Sequence, residues 1–211
     1  MSGISNIVSR EASGSDANGT RRGWPLVLAV IVTQLMSLLA IAPRAEANEP
    51  PARYMQRVAK ELVAAGRSGS QSEFAETLRR HADVTSIGLY SLGTYVNRLP
   101  QAERPPYYSG MVNFIARYAA KEAPKYPVAS AVVTGQTEET KSGVYVDSKV
   151  TLTNGTSYDV RWLLVRRGGA YKIRDAEVLG FWMSPFLKNL FEKYIDDNGG
   201  NPRALVVALT R

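Results

Sequence analysis

The sequence predicts an α+β fold: a four-stranded antiparallel meander sheet with helices packed on one of its faces. Three observations predict it. Between Pro51 and Tyr118 the apolar residues recur at helical spacing. From Val128 to Gly180 they alternate with polar residues at every second position, with turn residues between the runs. After Ser184 the helical spacing returns.

The first helix is expected from Pro51, where Pro50-Pro51 suits a first turn, to Gly66. Tyr54, Met55, Val58, Leu62 and Val63 form its stripe. "GRSGSQ" reads as a linker, and Ser72 as the N-cap of "SEFAETLRRHA". Asp83 is the next cap candidate. It opens "DVTSIGLYSLGTYVNRL", with Val84, Ile87, Leu92, Tyr95, Val96 and Leu99 at helical spacing. Gly88 and Gly93 interrupt this run. Each costs about 1 kcal/mol against alanine inside a helix, so close backbone packing is expected there. Pro105 or Pro106 starts a further helix carrying Tyr107, Met111, Phe114, Ile115 and Tyr118, and Pro124 and Pro127 end it.

The strands follow as "VASAVVTGQTEE", "GVYVDSKVTLT", "TSYDVRWLLVRR" and "AYKIRDAEVLG". Asn154-Gly155 is a strong hairpin signal, and Gly168-Gly169 reads as a second turn. One face collects Val144, Val146, Val150, Leu152, Val160, Trp162, Leu164, Tyr171 and Ile173. The other collects Asp147, Lys149, Asp159, Arg161, Lys172 and Arg174. The first face must be covered; the second can be wet. "SPFLKNLFEKYIDDNGG" and "NPRALVVAL" close the chain as helices, with Ser184 and Asn201 as caps.

In the N-terminal region, residues 1–47 read as a polar extension plus an export signal. "TRRGW" is the basic part, "PLVLAVIVTQLMSLLAIA" from Pro25 to Ala42 the apolar part, and Ala45 and Ala47 the small-residue site. Cleavage after Ala47 would leave residues 48–211 as a single domain. The run of 18 apolar-rich residues is short for a membrane span, which leaves an uncleaved anchor as the alternative. Both readings put the protein in the cell envelope, in the periplasm. Arg21-Arg22 leaves the export route, twin-arginine or general, open.

Composition excludes several classes of function. There is no cysteine, so there is no disulfide framework, thiolate metal site or cysteine nucleophile. His81 is the single histidine, which rules out a histidine-based zinc site. It follows two arginines and is expected as a partly exposed residue at a helix end, not as a catalytic base. The carboxylate pairs Glu138-Glu139 and Asp196-Asp197 flank turns and read as solvated. Net charge is +7, but no arginine-rich tract or nucleic-acid motif accompanies it, so no nucleic acid is expected as partner. Arg79-Arg80 and Arg166-Arg167 read as solvated faces. No cofactor and no catalytic residue is expected, and the protein is not read as an enzyme.

Several stretches together resemble the MlaC/toluene-tolerance family of periplasmic phospholipid-binding transport proteins. They are "FAETLRRHADVTSIGLYSLGTYV", "MVNFIARYAAKEAPKYP" and "FLKNLFEKYIDDNGGNPRALVVAL". The sheet segment "VRWLLVRRGGAYKIRDAEVLG" is similar to the family's V-x-W-x-L, glycine turn, W-K-I-x-D-x-x-V-x-G pattern, with Tyr171 where tryptophan is usual. One stretch departs. Where the family often has N-Y-R-x-x-F, this chain has "FWMSPFLKNLF". That apolar stretch leaves room for the hopanoid-associated branch (HpnM) and a bulkier polycyclic lipid.

The resemblance implies an MlaC-like fold, of the cystatin or nuclear-transport-factor-like kind, enclosing a hydrophobic lipid cavity. It implies a soluble carrier that moves a phospholipid or a hopanoid between inner and outer membrane. Its partners would be the periplasmic face of an inner-membrane ABC transporter and an outer-membrane lipoprotein complex. The lining is then expected from Val84, Ile87, Leu92, Tyr95, Met111, Phe114, Ile115 and Tyr118 on the helices. From the sheet and just after it come Val146, Val150, Trp162, Leu164, Phe181 and Trp182.

Overall fold

The computed structural model describes residues 49–211. The expected extension and export signal, residues 1–47, lie outside them.

The described chain runs through four helices, five strands and two further helices. They are α1 (Pro51–Ser68), α2 (Gln71–His81), α3 (Val84–Ser91), α4 (Arg104–Glu122), β1 (Val128–Thr140), β2 (Gly143–Leu152), β3 (Ser157–Arg167), β4 (Ala170–Val178), β5 (Phe181–Trp182), α5 (Met183–Asp197) and α6 (Pro202–Leu209). Short 3-10 turns at Gly93–Tyr95, Gln101–Glu103 and Ala123–Lys125 join some of them. The sheet is antiparallel, in the order β1-β2-β3-β4-β5. The predicted class and meander hold; the two-residue β5 is the strand the alternation pattern was too short to reveal.

Local chemistry explains where the helices begin and end, and corrects some predicted boundaries. α1 continues past Gly66 to Ser68, because Gly69 adopts the left-handed conformation and closes the helix. Ser70, not Ser72, caps α2 by accepting from the Glu73 backbone N–H. Asp83 caps α3 and also pairs with Arg167 at 2.9 Å. The predicted run from Asp83 to Leu99 breaks at Gly93, whose φ of 52° a helix cannot continue through. A Cβ at Gly93 would collide with Glu192, whose carboxylate accepts from the Thr94 N–H at 2.7 Å. α5 lacks the expected Ser184 side-chain cap. Asp175 on β4 accepts from the Ser184 N–H instead, at 2.9 Å. Asn201 caps α6 as predicted.

Three apolar clusters hold these elements together. α3, α4, α5 and α6 pack around Leu92, Tyr107, Met111, Phe191 and Ile195. α2 and α4 meet at Phe74, Ala75, Val112 and Ala116, with Ala65 of α1. α1 lies on the sheet, burying Tyr54, Met55 and Val58 against Val133, Val146, Leu164 and Tyr171. Each large aliphatic or phenylalanine side chain among them contributes about 1.5–3 kcal/mol on burial.

A bulge keeps the apolar face continuous. Trp162 faces Ala176 and Leu164 faces Ile173, so β4 carries one extra residue between them. The extra residue changes the parity of the alternation. Tyr171 and Ile173 are thus followed on the inner face by Ala176 and Val178, while Asp175 and Glu177 turn outward.

Candidate functional site: a cavity between α1 and the sheet

Strand directions give the sheet two ends. The β1–β2 and β3–β4 turns lie at one, the β2–β3 and β4–β5 turns at the other. Over the first end, the N-terminal half of α1 closes onto the sheet and fills the space with side chains. Over the second end its C-terminal half stands off.

The result is a cavity of about 660 Å³. Ala59, Leu62, Val63 and Gly66 of α1 and Phe74 of α2 form one wall. The inner face of the sheet forms the other, with Ala131, Val150, Val160, Trp162 and Val178. Pro124, Tyr126 and Pro127, in the crossing from α4 to β1, close a side. The wall residues explain the gap. Ala59 and Gly66 are short where α1 passes over the sheet, and Ala131 is short beneath it.

Few polar groups reach this space. The Ser148 hydroxyl donates to the Val160 carbonyl at 3.4 Å and accepts from the Trp162 indole N–H at 2.9 Å. Its hydrogen-bonding capacity is thus used within the sheet, and the indole presents its apolar body to the cavity. Arg67, exposed at the end of α1, donates to the Ala129 carbonyl at 3.0 Å and ties the helix end to the first strand.

Of the residues expected to line a lipid site, Val150 and Trp162 stand at this cavity. Val146 and Leu164 lie in the filled half of the α1–sheet interface. Leu92, Tyr95 and Met111 are buried in the helical core, with Val84, Ile87, Phe114 and Ile115 packed against it. Tyr118 and Phe181 are exposed, and the Trp182 ring packs at 6.0 Å on Tyr145, on the outer face. The helical stripes meet one another, because α3 and α4 pack on α5 and α6. Sequence reasoning missed the C-terminal half of α1 and the proline-flanked crossing to β1. Small residues on the α1 stripe were the available signal.

His81 departs from expectation. It is buried, 3% exposed, with Nε2 at 2.9 Å from Glu61 and Nδ1 at 3.3 Å from the Tyr54 hydroxyl. Burial pushes its pKa down against the opposing pull of Glu61. It lines neither cavity described here, and neither do Glu138, Glu139, Asp196 and Asp197. Arg80 is held by Glu61 at 2.8 Å and by Glu76, and Arg167 by Asp83, so these arginines are paired and not simply solvated. A second cleft, of about 620 Å³, opens on the outer side at the other sheet end and carries Lys141, Arg166, Arg167 and Arg174. Its charged walls suit no hydrocarbon. Among the described residues, no three acidic, histidine or cysteine side chains are placed to hold a metal ion. No described helix is long and apolar enough to cross a membrane.

The resemblance implied a hydrophobic cavity between helices and sheet; the structure has an apolar cavity under α1, not under the helices named for its lining. The sequence model of the family described as MlaC protein matches residues 53–211. The chain belongs to the MlaC family. Its fold is similar to the solved structure of the phospholipid-binding protein from Ralstonia solanacearum in complex with a phospholipid, with a TM-score of 0.58. The two are 17% identical over 76% of this chain and 95% of that chain. No curated protein matches this sequence. The MlaC fold therefore covers nearly all of the described chain, and the cavity lies within it.

Proposed function

We propose that this MlaC-family protein is a periplasmic lipid carrier, which holds the acyl chains of a phospholipid in the cavity between α1 and the sheet. One observation carries the reading: a cavity of about 660 Å³ with apolar walls, in a fold whose Ralstonia relative was solved with a phospholipid. Its size falls inside the range of roughly 300–1,000 Å³ typical of ligand sites.

The physics of the task agrees. A 16-carbon chain costs on the order of 12 kcal/mol to expose to water, at about 0.8 kcal/mol per CH₂. A carrier must supply apolar walls in place of the bilayer, and it needs no covalent chemistry to do so. Direction then comes from the difference in affinity between the carrier and its donor and acceptor. In this reading the lipid is taken up at one envelope membrane and delivered at the other, with an inner-membrane ABC transporter and an outer-membrane lipoprotein complex as partners, and an N-terminal signal brings the chain to them. The uncharged stretch after β4 leaves a hopanoid as an alternative cargo.

Native purification, organic extraction and mass spectrometry test the proposal. A phospholipid in stoichiometric amount is expected from the wild type. Trp162→Asp places a charge in the cavity wall and is expected to abolish the bound lipid while leaving export intact. Equal lipid in both proteins would remove Trp162 from the site, and no lipid in the wild type would end the carrier reading.

A further inference from the structure

Eleven large apolar side chains stand exposed among the described residues, and six of them fall between Leu179 and Tyr194. The cluster begins at the turn Leu179–Gly180 between β4 and β5. Leu179 has φ of 54°, the left-handed region, and is the one described residue other than glycine to do so. Asparagine, aspartate or glycine suits such a turn. A leucine there is strained, because its Cβ crowds the following carbonyl oxygen. It gains little burial in return, being 65% exposed. Strain at an exposed apolar residue points to use.

Three features join this turn to the cavity. Val178, immediately before it, is part of the cavity wall. Phe181 is the cross-strand partner of Val178, so it stands on the same sheet face just beyond that wall, 72% exposed. The turn also lies at the sheet end where Thr153 and Val128 line the cavity, as does the exposed Tyr126. From Val178 to Leu187 no side chain is ionisable. Entry into hydrocarbon requires that, because a charge at depth is costly.

We propose that the Leu179–Phe181 turn is a membrane-contacting lip: it seats in the surface of a lipid bilayer and gives a tail an unbroken apolar path between bilayer and cavity. The inference rests on the carrier reading for its purpose. The occupant is a bilayer because the exposed side chains continue the cavity wall itself. Whatever covers them must be something that a hydrocarbon tail can enter.

The chain has no cysteine, so Leu179→Cys takes a single environment-sensitive fluorophore on the full chain. Lys141→Cys, at the other end of the sheet, is the control. The pair cancels tethering through the apolar run Pro25–Ala42. The probe is protein-free vesicles of phosphatidylethanolamine and phosphatidylglycerol. A blue shift is expected from the label at 179 and none from the label at 141. The double variant Leu179→Asn/Phe181→Ser is expected to keep its co-purified lipid and to unfold at the same or a higher midpoint, since asparagine relieves the strain at 179. It is expected to pass lipid to vesicles at least about tenfold more slowly, since two apolar side chains no longer enter the bilayer. A label at 179 that stays silent with vesicles overturns the lip, as does one that responds only when a membrane protein is added. Unchanged transfer by the double variant also overturns it. Failure of the carrier reading shows separately, as a wild type without extractable lipid.

Discussion

His81 is closed in by the Tyr54 hydroxyl on one ring nitrogen and Glu61 on the other. Arg57 and Arg80 stand close by and also disfavour its charged form. Burial, the largest influence, lowers its pKa below the ordinary 6.5. A lowered folded value means that the unfolded chain binds the proton more readily. The stability due to His81 is therefore complete above pH 6.5 and is lost as pH falls toward the lower folded value. Glu61 acts in a more acidic window. Burial would raise its pKa, but the hydrogen bond to His81 and the nearby arginines lower it below 4.5 overall. Thermal unfolding across this range is expected to show a falling midpoint below pH 6.5, with a flatter curve for His81→Asn. Gly88 is a second single-residue case. A Cβ there would sit 2.7 Å from the Tyr108 ring and 3.2 Å from the Tyr107 ring, and Tyr107 is buried with its hydroxyl donating to the Gly88 carbonyl at 2.9 Å. Gly88→Ala is expected to cost about 1–3 kcal/mol by overpacking, read from the denaturation midpoint.

At the scale of elements, sequence patterns were read well where the neighbour did not matter. The alternation from Val144 to Ile173 gave most of the inner face, since a strand's period of two is local, but the polar Ser148 on that face was not assigned to it. The helix ends were read less well. α5 takes its N-terminal partner from Asp175, nine residues earlier and on another element, and no local cap motif could show it. Asp175→Ala removes acceptors from both the Ser184 and the Ala176 N–H groups. A loss of about 1 kcal/mol is expected in urea unfolding, in the range of a lost cap. The run after Asp83 taught the same lesson. Its periodicity was helical throughout, yet Gly93 and the Glu192 side chain beside it end the helix early.

At the scale of the whole molecule, the cavity exists because α1 is close to the sheet at one end and apart at the other. Filling it should change binding without harming the fold. Ala131→Trp adds bulk to the cavity floor at a short residue of β1. The variant is expected to fold at least as stably as the wild type and to yield less than about a tenth of its extractable lipid, since the volume is then occupied. Full lipid recovery from that variant would place the tails elsewhere. The helical bundle of α3, α4, α5 and α6 is a separate, filled core. Substitutions there, such as Met111→Ala, belong to stability alone, with an expected cost of about 2–5 kcal/mol.

By itself the sequence determined the α+β class, the order of the elements, the polarity of each sheet face and the absence of cysteine chemistry. These follow from periods and residue types that act within a few positions of one another. Two members of the candidate site, Val150 and Trp162, were legible because the sheet face was. Only the tertiary structure decided which helix covers that face and where the cover stops short. An apolar stripe states that it must be buried; it does not name its partner. That choice depends on how side chains from distant parts of the chain fill space together, and here small residues on α1 and β1 leave part of that space open.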